Sequence, residues 1–169
     1  MAIKLVPLTK AFPKSGYDTN KERSHFFAHA GVEYLLAYED LLKQEEASGH
    51  KFYVELPLLH MTLELLIKAH ASLIDESFNP KQYRHQTKNI LKDYADEINE
   101  FKLIIENPDK IALIEQLEEA WKYLRYGEMA FSCEGKDIHL AKNLAIELVE
   151  TYHKKTRIPF FAHHFPTRP

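Results

Sequence analysis

Two stretches of the sequence carry a histidine and a glutamate four residues apart. His29 and Glu33 form the first pair, and His60 and Glu64 form the second. Residues at this spacing lie on the same face of an α-helix, so each pair would present an imidazole nitrogen beside a carboxylate oxygen. Both atoms are ligands of zinc and iron, and two facing helices of this kind can build a metal site inside a bundle. The alternative, which we favour, is that the pairs form solvated polar faces, and we therefore expect no cofactor.

The overall composition is that of a globular intracellular protein. The chain has 169 residues, of which 45% are hydrophobic and 28% are charged, and its net charge is -3. This length suits one domain, and this charge gives no general attraction to nucleic acid or to acidic lipid. Cys133 is the single cysteine, so an internal disulfide is excluded and the cytoplasm is the expected location. No apolar run reaches the length of a membrane span, so we expect no membrane partner.

The most apolar segment, residues 56–73, predicts the helix around which the other helices pack. Its leucines recur at spacings of three and four, and the remaining apolar residues widen the surface beyond a single stripe. Such a helix must be covered on several sides. His60, Glu64 and Lys68 follow one another at intervals of four and form a narrow polar strip. Glu64 before Lys68 is the favourable order for an ion pair, and we expect this pair to be partly buried.

Helix caps and proline breaks predict further helices before and after this central one. A capping box that begins at Thr19 starts the first helix, which ends at residues 47–49. The Asn79–Pro80 dipeptide combines a capping residue with a proline suited to the first helical position. It starts a long third helix, whose apolar stripe continues to Ile105.

The fourth and fifth helices complete the predicted domain. The fourth follows a break at residues 107–109 and ends near Tyr126, and Asp137 caps the fifth, which carries Tyr152 on its buried side. We therefore predict an all-α, antiparallel, up-and-down bundle of about five helices. In this prediction residues 1–18 form an N-terminal arm, residues 19–153 form the domain and residues 154–169 form an irregular C-terminal tail.

The central helix with Glu64 and Lys68 is followed by a stretch in which His85 precedes two aliphatic residues, and then by a Leu-Arg-Tyr sequence that contains Arg125. These segments, in this order, resemble those of the HEPN superfamily of small helical bundles, which is widespread in prokaryotes. The resemblance spans roughly residues 50–130. It implies an HEPN-like fold, a homodimer and a role in stress or defence, with RNA, a nucleotide or a cognate protein as the partner. The binding residues that it implies are Glu64, Lys68, His85 and Arg125, and His85 is expected to pack against the central helix.

The catalytic motif of the HEPN superfamily is not present at its usual place. Catalytic members of this superfamily, to which the chain is similar, cleave RNA without a metal ion. They use an arginine and a histidine that are four to six positions apart and lie near the ends of the later helices. After Arg125 the next histidine is His139. The resemblance therefore implies a non-catalytic member. Two alternatives stay open, namely a ribonuclease with a displaced pair, Arg23 and His29, and a metal-binding bundle that uses His29, Glu33, His60 and Glu64.

Overall fold

The computed structural model describes residues 20–49, 55–126 and 135–157. These residues form seven α-helices and no β-strand, which confirms the predicted all-α class. In chain order the helices are α1 (Asn20–Ser48), α2 (Glu55–Ile74), α3 (Pro80–Tyr83), α4 (Thr87–Asp93), α5 (Asn99–Ile105), α6 (Pro108–Tyr126) and α7 (Gly135–Thr156). None of them combines the length and the apolar character that crossing a membrane requires. The predictions for the N-terminal arm, for the loop with Cys133 and for the tail beyond residue 157 concern residues outside this described part.

The central position of α2 is confirmed. Leu59, Leu63 and Leu66 are each at most 1% exposed, and α1, α4, α6 and α7 all contact this helix. Its polar residues are covered as well, since His60 and Glu64 are both 2% exposed. Burying a charged side chain is unfavourable unless it gains hydrogen-bonding partners. The polar residues of α2 therefore need hydrogen-bonding partners inside the fold.

Gly31 allows α1 to pack closely against α2. A Cβ atom at this position would lie 3.0 Å from Leu66 Cγ and 3.3 Å from the carbonyl oxygen of Thr62. Both distances are tighter than ordinary van der Waals contact, so a larger residue would displace Leu66 or separate the two helices. This close packing brings Phe27 of α1 to the same surface pocket as Lys68 of α2.

The predicted third helix, residues 80–105, is wrong as a continuous helix and is replaced by α3, α4 and α5. The first break is at Arg84, whose backbone φ of 50° is left-handed and cannot continue an α-helix. The second follows Tyr94, and Ile98 is extended, with φ -117° and ψ 103°, before α5 begins. The described residues consequently contain seven helices instead of about five. The apolar stripe is still buried, because Ile98 and Phe101 are at most 1% exposed.

The predicted cap Asn79 and the predicted break at residues 107–109 agree with the starts of α3 and α6, whereas the predicted cap Asp137 is wrong for α7. The Asn107 side-chain oxygen accepts hydrogen bonds from the backbone N–H groups of Asp109 and Lys110, at 3.0 and 3.1 Å, and so satisfies two amides at the start of α6. α7 begins at Gly135, two residues before the predicted cap Asp137, which lies in the first turn instead. A carboxylate in that turn still interacts favourably with the positive end of the helix dipole.

Candidate functional site

A buried carboxylate, that of Glu64, is the centre of a polar cluster on α2. His60 and Lys68 lie about one turn before and one turn after it. Glu64 Oε1 accepts a hydrogen bond from Lys68 Nζ at 2.5 Å, and Glu64 Oε2 lies 3.2 Å from His60 Nε2. His85, between α3 and α4, places its Nδ1 2.9 Å from the same Oε2. We call His60, Glu64, Lys68 and His85 the Glu64 cluster.

The break between α3 and α4 brings His85 to this cluster. In a continuous helix the carbonyl oxygen of Arg84 would accept the amide four residues later. The left-handed conformation of Arg84 prevents this, and its carbonyl oxygen instead accepts a hydrogen bond from Lys68 Nζ at 2.7 Å. Lys68 thus bonds both to Glu64 and to the α3–α4 connection, and the next residue along the chain is His85. The contact of His85 with the central helix, implied by the HEPN resemblance, is present in the structure.

Trp121 of α6 packs against both imidazoles of the cluster. Its indole ring is stacked on His60, with ring centroids 5.4 Å apart and an interplanar angle of 20°, and it lies 5.5 Å from the ring of His85. Glu118, about one turn earlier on α6, accepts a hydrogen bond from the backbone N–H of Lys88 at 2.6 Å. These contacts attach α6 to both α2 and α4. They restrict the orientation of the two histidines.

Glu64 is ionised at neutral pH despite its burial. Burial by itself raises the pKa of a carboxyl group, because it disfavours the charged form. The contacts with His60, Lys68 and His85 outweigh burial and lower the pKa of Glu64 to about 2. Since a carboxylate can only accept hydrogen bonds, Nδ1 of His85 is the donor in their contact. In neutral His85 the other ring nitrogen, Nε2, is then an acceptor.

A basic pocket of about 460 Å³ lies beside the Glu64 cluster and opens to the surface. It is lined by Phe27, Lys68, Pro80, Lys81, Arg84 and His85. Lys81 and Arg84 are exposed, and among the described residues no carboxylate lies within 4 Å of either side-chain charge. Lys68, in contrast, is paired with Glu64. We define these six residues as the basic pocket, whose positive charge comes chiefly from Lys81 and Arg84.

The structure brings together only part of the predicted metal-ligand set. His60 and Glu64 lie in the cluster, whereas His29 and Glu33 form a separate pair on α1, with 3.6 Å between Nδ1 and Oε1. The side chains of that pair are 52% and 72% exposed, as expected for a solvated polar face, but the same expectation is wrong for His60 and Glu64, which are buried. In the described part of the chain, His85 is the residue that joins His60 and Glu64 in a group able to hold a metal ion.

Arg23 and His29, the displaced ribonuclease pair, lie on different sides of α1. Six residues correspond to about 600° of helical rotation, which separates the two side chains by about 120° around the axis. Arg23 is half-buried, and its charge acts on Asp75 after α2, whereas His29 is exposed. Arg125 belongs to α6, but its side chain lies outside the described residues.

A second polar cluster lies along the same central helix, and its groups are neutral. His70 Nε2 donates a hydrogen bond to the carbonyl oxygen of Leu148 at 3.0 Å, and burial lowers the pKa of His70 to about 4. Ser24 Oγ donates to the carbonyl oxygen of Ala69 at 2.7 Å and accepts from Tyr152 Oη at 2.6 Å. We call Ser24, His70 and Tyr152 the neutral cluster. It connects α1, α2 and α7, and its hydrogen bonds lie inside the core. Nδ1 of His70 is buried and makes no hydrogen bond within the described residues.

Three contributors to the site were not predicted from the sequence. Trp121 lies in the predicted fourth helix, and Lys81 and Arg84 lie in a segment predicted to continue as a helix. One feature of the sequence could have indicated the pocket residues, because Arg84 and His85, two side chains that can bind anions, are adjacent and directly follow a turn that begins with a proline.

No protein-family model, curated protein or solved structure gives a significant match to the chain.

Proposed function

We propose that this chain is a non-catalytic helical protein that binds RNA or a nucleotide through the basic pocket. The observation that carries the proposal is the composition of the pocket lining, which combines the exposed cations Lys81 and Arg84 with the aromatic residue Phe27. A guanidinium group and an ammonium group bind phosphate oxygens, and an aromatic ring offers a surface on which a base can stack. RNA and nucleotides contain both parts.

The Glu64 cluster supports this role by fixing the pocket wall. Lys68 donates to the carbonyl oxygen of Arg84, and Glu64 holds both Lys68 and His85. The residues before and after Arg84 are therefore attached to the rigid central helix. A binding site whose backbone is fixed in advance loses less conformational entropy when the ligand arrives. In this proposal Glu64 acts on the pocket and does not contact the ligand.

The remaining parts of the proposal rest on the resemblance to the HEPN superfamily. It supports an antiparallel, HEPN-like arrangement of the helices and a cytoplasmic homodimer that acts in prokaryotic stress or defence, where it also meets a cognate protein partner. Of the residues on which it rests, Lys68 and His85 both bind the Glu64 carboxylate in the structure. Their contact is what a shared helical core would require.

Binding of a short fluorescent single-stranded RNA, followed by anisotropy at several salt concentrations, tests the proposal. Each phosphate contact contributes about 0.7 to the slope of log affinity against log salt for a single strand. Lys81→Gln and Arg84→Gln are each expected to weaken binding and to lower this slope by about 0.7. Lys92→Gln is the matched control, because Lys92 is an exposed cation of α4 that does not line the pocket.

The same assay separates the possible ligands. Displacement of the RNA by a mononucleotide, but not by its nucleoside, would assign the pocket to a nucleotide. RNA binding that resists the mononucleotide would assign it to a longer strand. Binding that is independent of salt, or equally affected by Lys92→Gln and Lys81→Gln, would contradict the proposal. Cleavage of the RNA in the presence of a chelator would contradict its non-catalytic part.

A further inference from the structure

We propose that His60, Glu64 and His85 form a binding site for a zinc-like divalent cation. One potential ligand atom from each residue takes part, and these three atoms all lie within 4.8 Å of one another. His60 Nε2 and His85 Nδ1 lie 3.2 and 2.9 Å from Glu64 Oε2. In a tetrahedral zinc site with bonds of 2.0 to 2.2 Å, neighbouring ligand atoms are about 3.3 to 3.6 Å apart. The His60–Glu64 separation is close to that range, and the His85–Glu64 separation needs to widen by about 0.4 Å.

The environment of His60 independently supports a cation at this position. Only 3% of its side chain is exposed, yet in the part of the chain that the structure describes its Nε2 atom makes no well-aligned hydrogen bond. Buried polar nitrogens almost always have a partner, since leaving one without a partner is unfavourable. The nitrogen lies 3.2 Å from the shared Glu64 oxygen. A metal ion bound between the two atoms would satisfy both of them.

The kinds of ligand atom select the class of cation. Two imidazole nitrogens and one carboxylate oxygen suit zinc and similar transition metals, whereas magnesium and calcium prefer oxygen ligands throughout. Three protein ligands leave a fourth position in a tetrahedral site. His85 is 42% exposed and also lines the basic pocket, so this position is expected on the pocket side. Trp121 packs on the His60 and His85 rings and restricts their orientation.

The position of Lys68 leads to a specific prediction about the affinity for zinc. Its ammonium group binds Glu64 Oε1, which leaves Oε2 for the metal but places a positive charge near a second cation. Like charges at short range repel each other. Replacement of Lys68 by methionine, which is similar in length but uncharged, is therefore expected to strengthen zinc binding. The proposal is independent of RNA binding, because neither Lys81 nor Arg84 belongs to the ligand set.

Calorimetric titration of untagged, chelator-treated protein with zinc chloride tests the site. We expect one zinc ion per chain, competition with a chromogenic zinc chelator, and no binding of magnesium under the same conditions. His85→Ala is the main variant, since its half-exposed side chain can be removed with little effect on the core. It is expected to weaken zinc binding by about 100-fold or more, because even the loss of an outer-shell partner weakens it by about 10- to 100-fold. His60→Gln is also expected to weaken zinc binding.

The exposed His29–Glu33 pair provides the matched control. It has the same spacing as His60 and Glu64, so His29→Ala should leave zinc affinity unchanged if the buried cluster is the site. Lys81→Gln removes no ligand atom and should not weaken zinc binding, although it weakens RNA binding, which separates this test from the RNA assay. A stoichiometry far below one, or equal zinc affinity in His85→Ala and the parent protein, would overturn the proposal. So would an equal loss in His29→Ala and His85→Ala.

Discussion

The Glu64 cluster and the neutral cluster bury titratable side chains of the same helix in two different ways. Glu64 is ionised and surrounded by cationic or hydrogen-bonding groups, and the cluster reaches the surface through His85. His70 is kept neutral by burial and donates to a backbone carbonyl in the interior. A charge can be kept inside a protein when several partners compensate for its lost hydration, whereas a lone imidazole gives up its proton instead. The charged cluster is therefore the one suited to meet a ligand.

The largest effect that distinguishes the two clusters is expected for Glu64→Leu. This change leaves the largely buried ammonium of Lys68 without its carboxylate partner. Breaking a buried ion pair from one side typically costs about 3 to 5 kcal/mol of unfolding free energy. Urea denaturation measures the loss, and Glu33→Leu is the control because its carboxylate is 72% exposed.

The double variant Glu64→Leu with Lys68→Met tests the origin of that loss. If the uncompensated charge is responsible, removing it should restore much of the stability, since apolar replacements of a whole buried pair are often neutral or stabilising. A Glu64→Leu protein that loses less than about 1 kcal/mol would contradict the assigned role of the carboxylate, because such a loss is typical of a neutral hydrogen bond.

The neutral cluster is expected to make stability depend on pH in mildly acidic solution. His70 has a pKa of about 4 in the folded protein, against an ordinary pKa of 6.5, so the unfolded chain binds its proton first as the pH falls. The stabilising effect of neutral His70 is complete above pH 6.5 and is lost as the pH falls towards 4. Between pH 6.5 and 4.5 the loss is about 2 to 3 kcal/mol.

Comparison with His70→Gln isolates this contribution. Glutamine can keep a donor near the Leu148 carbonyl oxygen but does not titrate. The difference in unfolding free energy between the parent protein and the variant should therefore change by about 2 to 3 kcal/mol across this interval. Glu64 contributes at lower pH, because its pKa falls from 4.5 to about 2 and its stabilising effect is lost between those values. A constant difference from pH 6.5 to 4.5 would show that His70 is not buried as a neutral group.

A smaller effect is expected when one hydrogen bond of the neutral cluster is removed. Tyr152→Phe takes away the donor to Ser24 Oγ, while Ser24 can still donate to the carbonyl oxygen of Ala69. The expected loss of unfolding free energy is about 1 kcal/mol, the usual net value for a neutral hydrogen bond. Tyr34→Phe is the control, because Tyr34 is 37% exposed. Equal losses in the two variants would contradict a specific role for the Tyr152 hydroxyl.

Much of the fold could be predicted from local sequence patterns. The leucine spacing of α2 and the side-chain cap at Asn107 depend on neighbours a few residues away. The breaks in the segment 80–105 could not be predicted in this way, because its apolar residues keep a helical spacing across them. The first break depends on the left-handed Arg84, whose carbonyl is held by Lys68, sixteen residues earlier in the chain.

Only the part of the candidate site that lies on a single helix could be predicted from the sequence. The spacing of His60, Glu64 and Lys68 on one helix is visible in the sequence, as is the expected pairing of Glu64 with Lys68. The approach of His85 was implied by resemblance, and the stacking of Trp121 depends on how α6 packs against α2. Contacts between helices distant in the chain follow from packing of the whole core, which residue spacing does not contain.

The smallest expected effect belongs to His29→Ala. The His29–Glu33 pair has the same four-residue spacing as His60 and Glu64, but its atoms are 3.6 Å apart and both side chains are largely exposed. Exposed pairs of this spacing contribute about 0.3 to 0.5 kcal/mol, and alanine partly offsets the loss through its higher helix propensity. Urea denaturation should therefore show a change of at most about 0.5 kcal/mol. A loss as large as that of Tyr152→Phe would mean that spacing alone determines the strength of such pairs. A negligible loss would mean that the His60–Glu64 pair is stronger because it is buried and because the fold supplies further partners to Glu64.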